Sequence, residues 1–288
     1  MDFAAVIFVE TLYAVASLIL ISLGLAVVFG MMRVINLAHG EFMMMGGYAT
    51  IVAVKAGVPI FLAILIVAPL IVGVIGLVVE RLVIRHLYGR LVDSMLATWG
   101  LSLLFIGLVT MIFGNTTTGI STPISGFQVG NYQINGYNLF VILVVFVLLI
   151  TAYLLLKKTR LGLIARGAMQ GAEVASALGQ NPDRIYMFTF VAGAALSGLA
   201  GAVLAPLVGL VPSSGGAYIA KAFIAVIAGG PSIITGILSS STVFGVISQL
   251  FTFGISPMVG EVALLIAAIV LLRLMPQGIT GRFFKGKL

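Results

Sequence analysis

Long apolar runs separated by short polar breaks make up the chain, and they can be bracketed at about 3–30, 42–57, 58–80, 94–113, 138–156, 185–210, 218–230, 233–253 and 259–275. Most approach the ~20 residues a helix needs to cross a ~30 Å hydrocarbon layer. Stretches such as "VVFVLLITAYLLL" and "ALLIAAIVLLRL" are apolar throughout, without the alternation of an outer-membrane strand, so the spans are helices. The pattern predicts an all-α, polytopic integral membrane protein with eight or nine transmembrane helices in a single membrane domain over 1–288. The segments 218–230 and 233–253 are the weak point: the first is short for a crossing, and "GGPSIITG" between them reads as a break within the membrane as readily as a loop outside it.

Composition agrees with that pattern. Hydrophobic residues are 61% of the 288 and the mean hydropathy is +1.25, against roughly 45–50% apolar usage in soluble domains. A net charge of +7 and a pI near 9.9 raise the question of nucleic acid, but no basic run is interleaved with aromatics, so nucleic acid is not an expected partner. Cysteine is absent, which excludes a disulfide framework and thiolate metal sites. The opening "MDFAAVIFVETLY" carries Asp2 and Glu10 and no basic residue; it does not resemble a cleaved signal, and the first segment is expected to remain as a helix.

Lysine and arginine set the orientation, because cytoplasmic loops accumulate them. Three sets belong inside: Arg81, Arg85 and Arg90; Lys157, Lys158, Arg160, Arg166 and Arg184; Arg282, Lys285 and Lys287. The uncharged, turn-rich stretch 114–138 belongs outside. The C-terminus is then cytoplasmic and, with an odd number of spans, the N-terminus is external. On 185–210, Gly193, Ser197 and Gly201 recur every fourth residue, with Ala194, Gly198 and Ala202 beside them, a smooth strip that lets another helix approach closely. Lys221, near the end of its segment, is expected to snorkel to the membrane interface.

Two polar stretches carry the chemistry. The first, "RVINLAHGEFMMMGG" at 33–47, gathers Arg33, Asn36, His39 and Glu41 in a chain with only 8% charged residues. His39 and Glu41 match half of a zinc deaminase motif whose other half requires cysteine, so metal chemistry is not expected. A proton relay is one reading; a helix break whose freed backbone groups are met by polar side chains is another. The preferred reading combines a broken-helix or re-entrant segment with a place beside a translocation path. Arg33 either pairs with Glu41 or lies in the cytoplasmic headgroup zone. Met43, Met44 and Met45 read as adaptable packing.

The second stretch, 157–185, is the longest basic insertion. "ARGAMQGAEVASALG" favours a short helix, and Gly179 followed by Pro182 supplies its stop. Its small residues Gly171, Ala172, Ala175 and Ala177 make poor membrane anchors, so a docking element is favoured over a surface-bound helix.

On these residues the chain resembles a known family. "AEVASALG", with Glu173, Ala175 and Gly179, resembles the coupling loop of bacterial ABC importer permeases. "GLAVVFGMMRVINLAHGEFMMMGGY" resembles the N-terminal signature of LivH-type branched-chain amino acid permeases. "RLMPQGITG" is similar to the family's Arg-Pro-Gln-Gly ending, with Leu274 and Met275 inserted, while "AGGPSIITG" departs from the usual Gly-Gly-Leu-Gly-Ser.

The resemblance covers essentially the whole chain and implies an ABC importer permease fold in a bacterial inner membrane. It also implies a second homologous permease, two cytoplasmic ATPase subunits and a periplasmic substrate-binding protein, with leucine, isoleucine, valine or similar amino acids as substrate. Coupling to the ATPases would fall to Arg166, Glu173, Ala175, Gly179 and Asp183. No phosphate-binding loop of the Gly-x-x-x-x-Gly-Lys-Ser/Thr kind occurs, so this chain is expected to need no cofactor of its own and to be no enzyme, ATP and Mg²⁺ being bound by the partner subunits. The alternatives are a permease of the same superfamily for urea or another small amide, and a stand-alone channel or proton-coupled carrier.

Overall fold

A computed structural model of the chain describes residues 2–130 and 132–283. In order, the helices are α1 (Asp2–Met32), α2 (His39–Lys55), α3 (Ile60–Leu62), a π-helical turn (Ala63–Val67), α4 (Ala68–Leu82), a 3₁₀ turn (Ile84–Leu87) and α5 (Leu91–Phe113). A two-stranded antiparallel hairpin follows, β1 (Phe127–Val129) and β2 (Tyr132–Ile134), with Gln128 opposite Gln133. Then come α6 (Gly136–Lys158), α7 (Arg160–Gln170), α8 (Ala172–Ala177), α9 (Pro182–Leu204), α10 (Gly215–Gly229), α11 (Ile233–Gly254), α12 (Pro257–Leu274) and α13 (Gly278–Phe283).

Among the described residues seven helical stretches are long and apolar enough to cross a membrane. The predicted spans at 42–57 and 218–230 correspond to the shorter helices α2 and α10, of 17 and 15 residues. At 1.5 Å per residue each is about 22–26 Å long, below the hydrocarbon thickness, and each follows an irregular stretch of chain. The helix over 60–82 is continuous but widens to a π turn just before Pro69; proline has no N–H for the regular ladder, and the wider turn accommodates it. The hairpin at 127–134 was not foreseen from the pattern, because its strands are three residues long. Basic residues close α4 (Arg81), α6 (Lys157, Lys158) and α12 (Arg273), where they oppose the negative end of the helix dipole. Lys285 and Lys287 lie outside the described residues.

The chain forms two compact units, each discontinuous in sequence: 1–22, 122–150 and 221–288, and 23–121 with 151–220. In the first, Leu18, Phe244, Leu264, Ala268 and Ala228 form the buried core. The Asn138 amide donates to Glu10 at 3.0 Å, and the Ser240 hydroxyl donates to the Ala225 carbonyl at 2.6 Å. The "GGPS" break is a tight turn, with Gly230 at φ 86°. It is closed by the C-terminal motif: the Thr280 hydroxyl donates to Gly229 O at 2.6 Å and Gly278 packs on Gly230. The stretches "AGGPSIITG" and "RLMPQGITG" therefore touch each other.

In the second unit, α9 lies against both α2 and α4 at backbone distance. A Cβ on Gly201 would overlap the Met43 carbonyl, and one on Gly46 would overlap that of Gly198. Phe42 stands edge-on to Phe105 and Phe190, at 5.6 and 6.0 Å between centroids, and Met44, Tyr48, Ile51, Val109, Ala205 and Leu210 fill the adjoining core.

Candidate functional site at the break between α1 and α2

α1 stops at Met32 because Arg33 takes a left-handed backbone, φ 52°, at a cost of roughly 1–2 kcal/mol for a residue with a Cβ. Residues 33–36 are irregular, and α2 starts only at His39. Most of this break is buried: Val34 is 2%, Asn36 4% and Ala38 0% exposed. Backbone polar groups placed there must find partners inside the protein. Thr98 of α5 supplies two of them, accepting from Leu37 N–H at 3.0 Å and lying 3.3 Å from the Ile35 carbonyl. Asn36 supplies another, its side-chain oxygen accepting from Ala38 N–H at 3.0 Å in an Asx turn.

His39, the first residue of α2, is buried, with Nδ1 3.0 Å from the Ser197 hydroxyl, which itself lies 2.7 Å from the Gly193 carbonyl. Ser197 is thus more than a gap in a smooth strip. Gly193 faces Val28 and Gly24 of α1, and Gly201 faces Met43 of α2; a single face of α9 aligns the end of α1 and the start of α2.

Glu41 is 2% exposed. The Ser102 hydroxyl hydrogen-bonds its carboxylate, while Oε2 has no hydrogen-bond partner among the described residues. Its surroundings are nevertheless electropositive in part. Gly40 and Gly215 lie back to back, so that a Cβ on Gly215 would come 2.8 Å from Glu41 N and Oε1. The carboxylate therefore sits where the first turns of α2 and α10 meet, and both helix N-termini carry positive dipole ends. Thr98, Ser102 and Gly215 were not singled out from sequence, since an isolated Thr, Ser or Gly in an apolar helix carries no local signal.

Arg33 does not join this cluster. It is exposed and is not ion-paired with Glu41, which lies buried at the far side of the break. Instead it borders a cavity of about 320 Å³ with Met31, Tyr88, Gly89, Met169 and Tyr186. Next to that cavity the Tyr88 hydroxyl donates to the fully buried Glu80. Burial first, then the Glu80 carboxylate, push the Tyr88 hydroxyl far above the ordinary phenol range, so it stays a donor.

The 157–185 stretch forms two short helices where one was expected over 165–179, because Gly171 adopts an extended backbone between α7 and α8. Its stop matches the expected chemistry. Gly179, at φ 81°, follows α8 with Gln180 N–H bonded to Ala175 O and Gly179 N–H to Ser176 O, a Schellman turn. Pro182 then opens α9, capped by Asn181. Ala175 is buried, Arg166 half-buried, and Glu173 and Gly179 exposed. Asp183 lies 3.7 Å from Arg85. Glu173, Ser176, Gly179, Gln180 and Asp183 line one shallow outward-facing concavity; Arg166 lies apart from it. Lys221, expected to snorkel to the membrane interface, meets Glu261 of α12 at 2.6 Å.

Comparison with known proteins covers nearly the whole chain. It is 31% identical over 280 residues, 92% of this chain and 88% of the relative, to the "Probable branched-chain amino acid transport permease protein LivH" of Methanocaldococcus jannaschii. It is 29% identical, over 91% of each chain, to the high-affinity branched-chain amino acid transport system permease protein LivH of Escherichia coli. It is 28% identical, with the same coverage, to the corresponding permease BraD of Pseudomonas aeruginosa. Among solved structures, "PsaBC from Streptococcus pneumoniae in complex with Fab" superposes with a TM-score of 0.53, at 13% identity over 96% of this chain and 93% of that one, which speaks to the fold alone. The family model for the branched-chain amino acid transport system permease component matches residues 7–275, and the chain belongs to that family.

Proposed function

We propose that this permease passes branched-chain or similarly apolar amino acids across a bacterial inner membrane, as one of two permeases driven by cytoplasmic ATPases and supplied by a substrate-binding protein. The observation that carries the reading is the pairing of two features in one chain: a helix break set deep among buried polar groups, and a small-residue loop that leaves Glu173 and Gly179 exposed. Half-helices α2 and α10 meeting at Gly40 and Gly215 make a fixed hub around which longer helices can rock, which suits alternating access by rigid-body motion. The concavity around Glu173 and Gly179 offers a seat for a partner, and the short helices α7 and α8 would transmit its movement to α9 through Pro182. A stand-alone channel has no evident use for such a loop. No nucleotide-binding motif is present in this chain, so ATP and Mg²⁺ belong to the partners in this reading.

The test is ATP turnover by the assembled complex in proteoliposomes. Leucine, isoleucine or valine delivered by the cognate binding protein is expected to stimulate hydrolysis several-fold. Stimulation by urea or a small amide, and not by these amino acids, would replace the proposed substrate.

A further inference from the structure

The Lys221 and Glu261 pair has no place in the site described above. Lys221 is the one charged residue of α10, in "GGAYIAKAFIAVIAG". Glu261 is the one charge between Gly245 and Leu272, a run that includes the apolar turn "FGISPMVG" before it. Glu261 stands about one turn inside a candidate membrane span, Pro257–Gly281. Nζ and Oε1 are 2.6 Å apart, yet the side chains keep 34% and 66% of their surface exposed. On the same face of α12 the exposed neighbours are Met258, Val262, Leu265 and Ile269.

Charges on a membrane-spanning segment are costly against lipid and as a rule face a bundle interior or a water-filled cavity. The pair is also incompletely used: one ammonium hydrogen and one carboxylate oxygen make the contact, leaving two donors and Oε2 directed to the surroundings. We propose that this face of α10 and α12 borders the aqueous translocation path, and that Lys221 and Glu261 take the carboxylate and ammonium ends of a zwitterionic α-amino acid, with the apolar surface around them taking its side chain. Two opposite charges at contact distance present to the substrate the complement of its own dipole. This rests on the amino-acid reading above.

The absence of cysteine from this chain makes a direct test available, with labelling read on this subunit alone. Met258→Cys, Leu265→Cys and, as an apolar exposed control on α6, Phe146→Cys are made singly in the assembled complex, with Lys221 and Glu261 left in place, and treated with a charged, membrane-impermeant thiol reagent. Positions 258 and 265 are expected to react and position 146 not. Leucine with its binding protein and ATP is expected to slow labelling at both by about tenfold, the scale of one charge-assisted contact. Lack of reaction at both positions would place the pair in lipid, and reaction unaffected by substrate would place it among the headgroups; either overturns the proposal. If the unsubstituted complex shows no ATPase response to leucine, isoleucine or valine, the substrate assignment fails instead, and labelling still decides whether the pair faces water.

Discussion

Glycine at 201 and serine at 197 have opposite sensitivities although both belong to one strip of α9. A side chain at Gly201 collides with the Met43 backbone, which cannot rotate away; Gly201→Leu is expected to cost about 3 kcal/mol or more and to abolish a folded, monodisperse protein in detergent. Ser197→Ala keeps the shape and removes one hydrogen-bond partner of His39, a loss of about 1 kcal/mol read as a lower unfolding temperature with assembly intact. Glu41 separates structure from transport most sharply. Glu41→Gln keeps the Ser102 contact and the volume and removes the charge from the two helix ends, so insertion is expected to be normal while uptake falls; wild-type uptake would leave Glu41 with a packing role alone. Single residues were legible in the sequence where a charge stood out against an apolar background, as at Arg33, His39, Glu41 and Lys221. The partners of the last three were not, because Ser197, Ser102 and Glu261 come from helices remote in sequence and only packing brings them together.

At the level of elements, apolar runs located the long helices to within a few residues, since hydrocarbon thickness fixes both length and composition. The exceptions were physical in origin. α2 and α10 are half-helices whose irregular lead-ins are stabilised by tertiary hydrogen bonds, and the Gly171 break splits a stretch that local propensity reads as one helix. The loop over 157–185, proposed to couple to the ATPases, is the element with a sharp prediction. Glu173→Lys reverses charge in the exposed concavity, and Gly179→Trp places an indole there while straining a left-handed position. Both variants are expected to insert normally and to lose substrate-stimulated ATP hydrolysis, measured in proteoliposomes against an unchanged basal rate. Normal stimulation in either would remove the loop from the coupling route.

At the scale of the whole molecule, exposed apolar residues cover the long helices and small residues make their closest contacts. Family membership follows from similarity along residues 7–275, and transport by this chain is expected to depend on partner subunits. Uptake of radiolabelled leucine should be compared in liposomes holding this chain alone and in liposomes holding the complete complex with internal ATP and external binding protein. Accumulation by the complete complex, with none above passive leak by the chain alone, is the predicted result; full-rate uptake by the solitary chain would contradict the account.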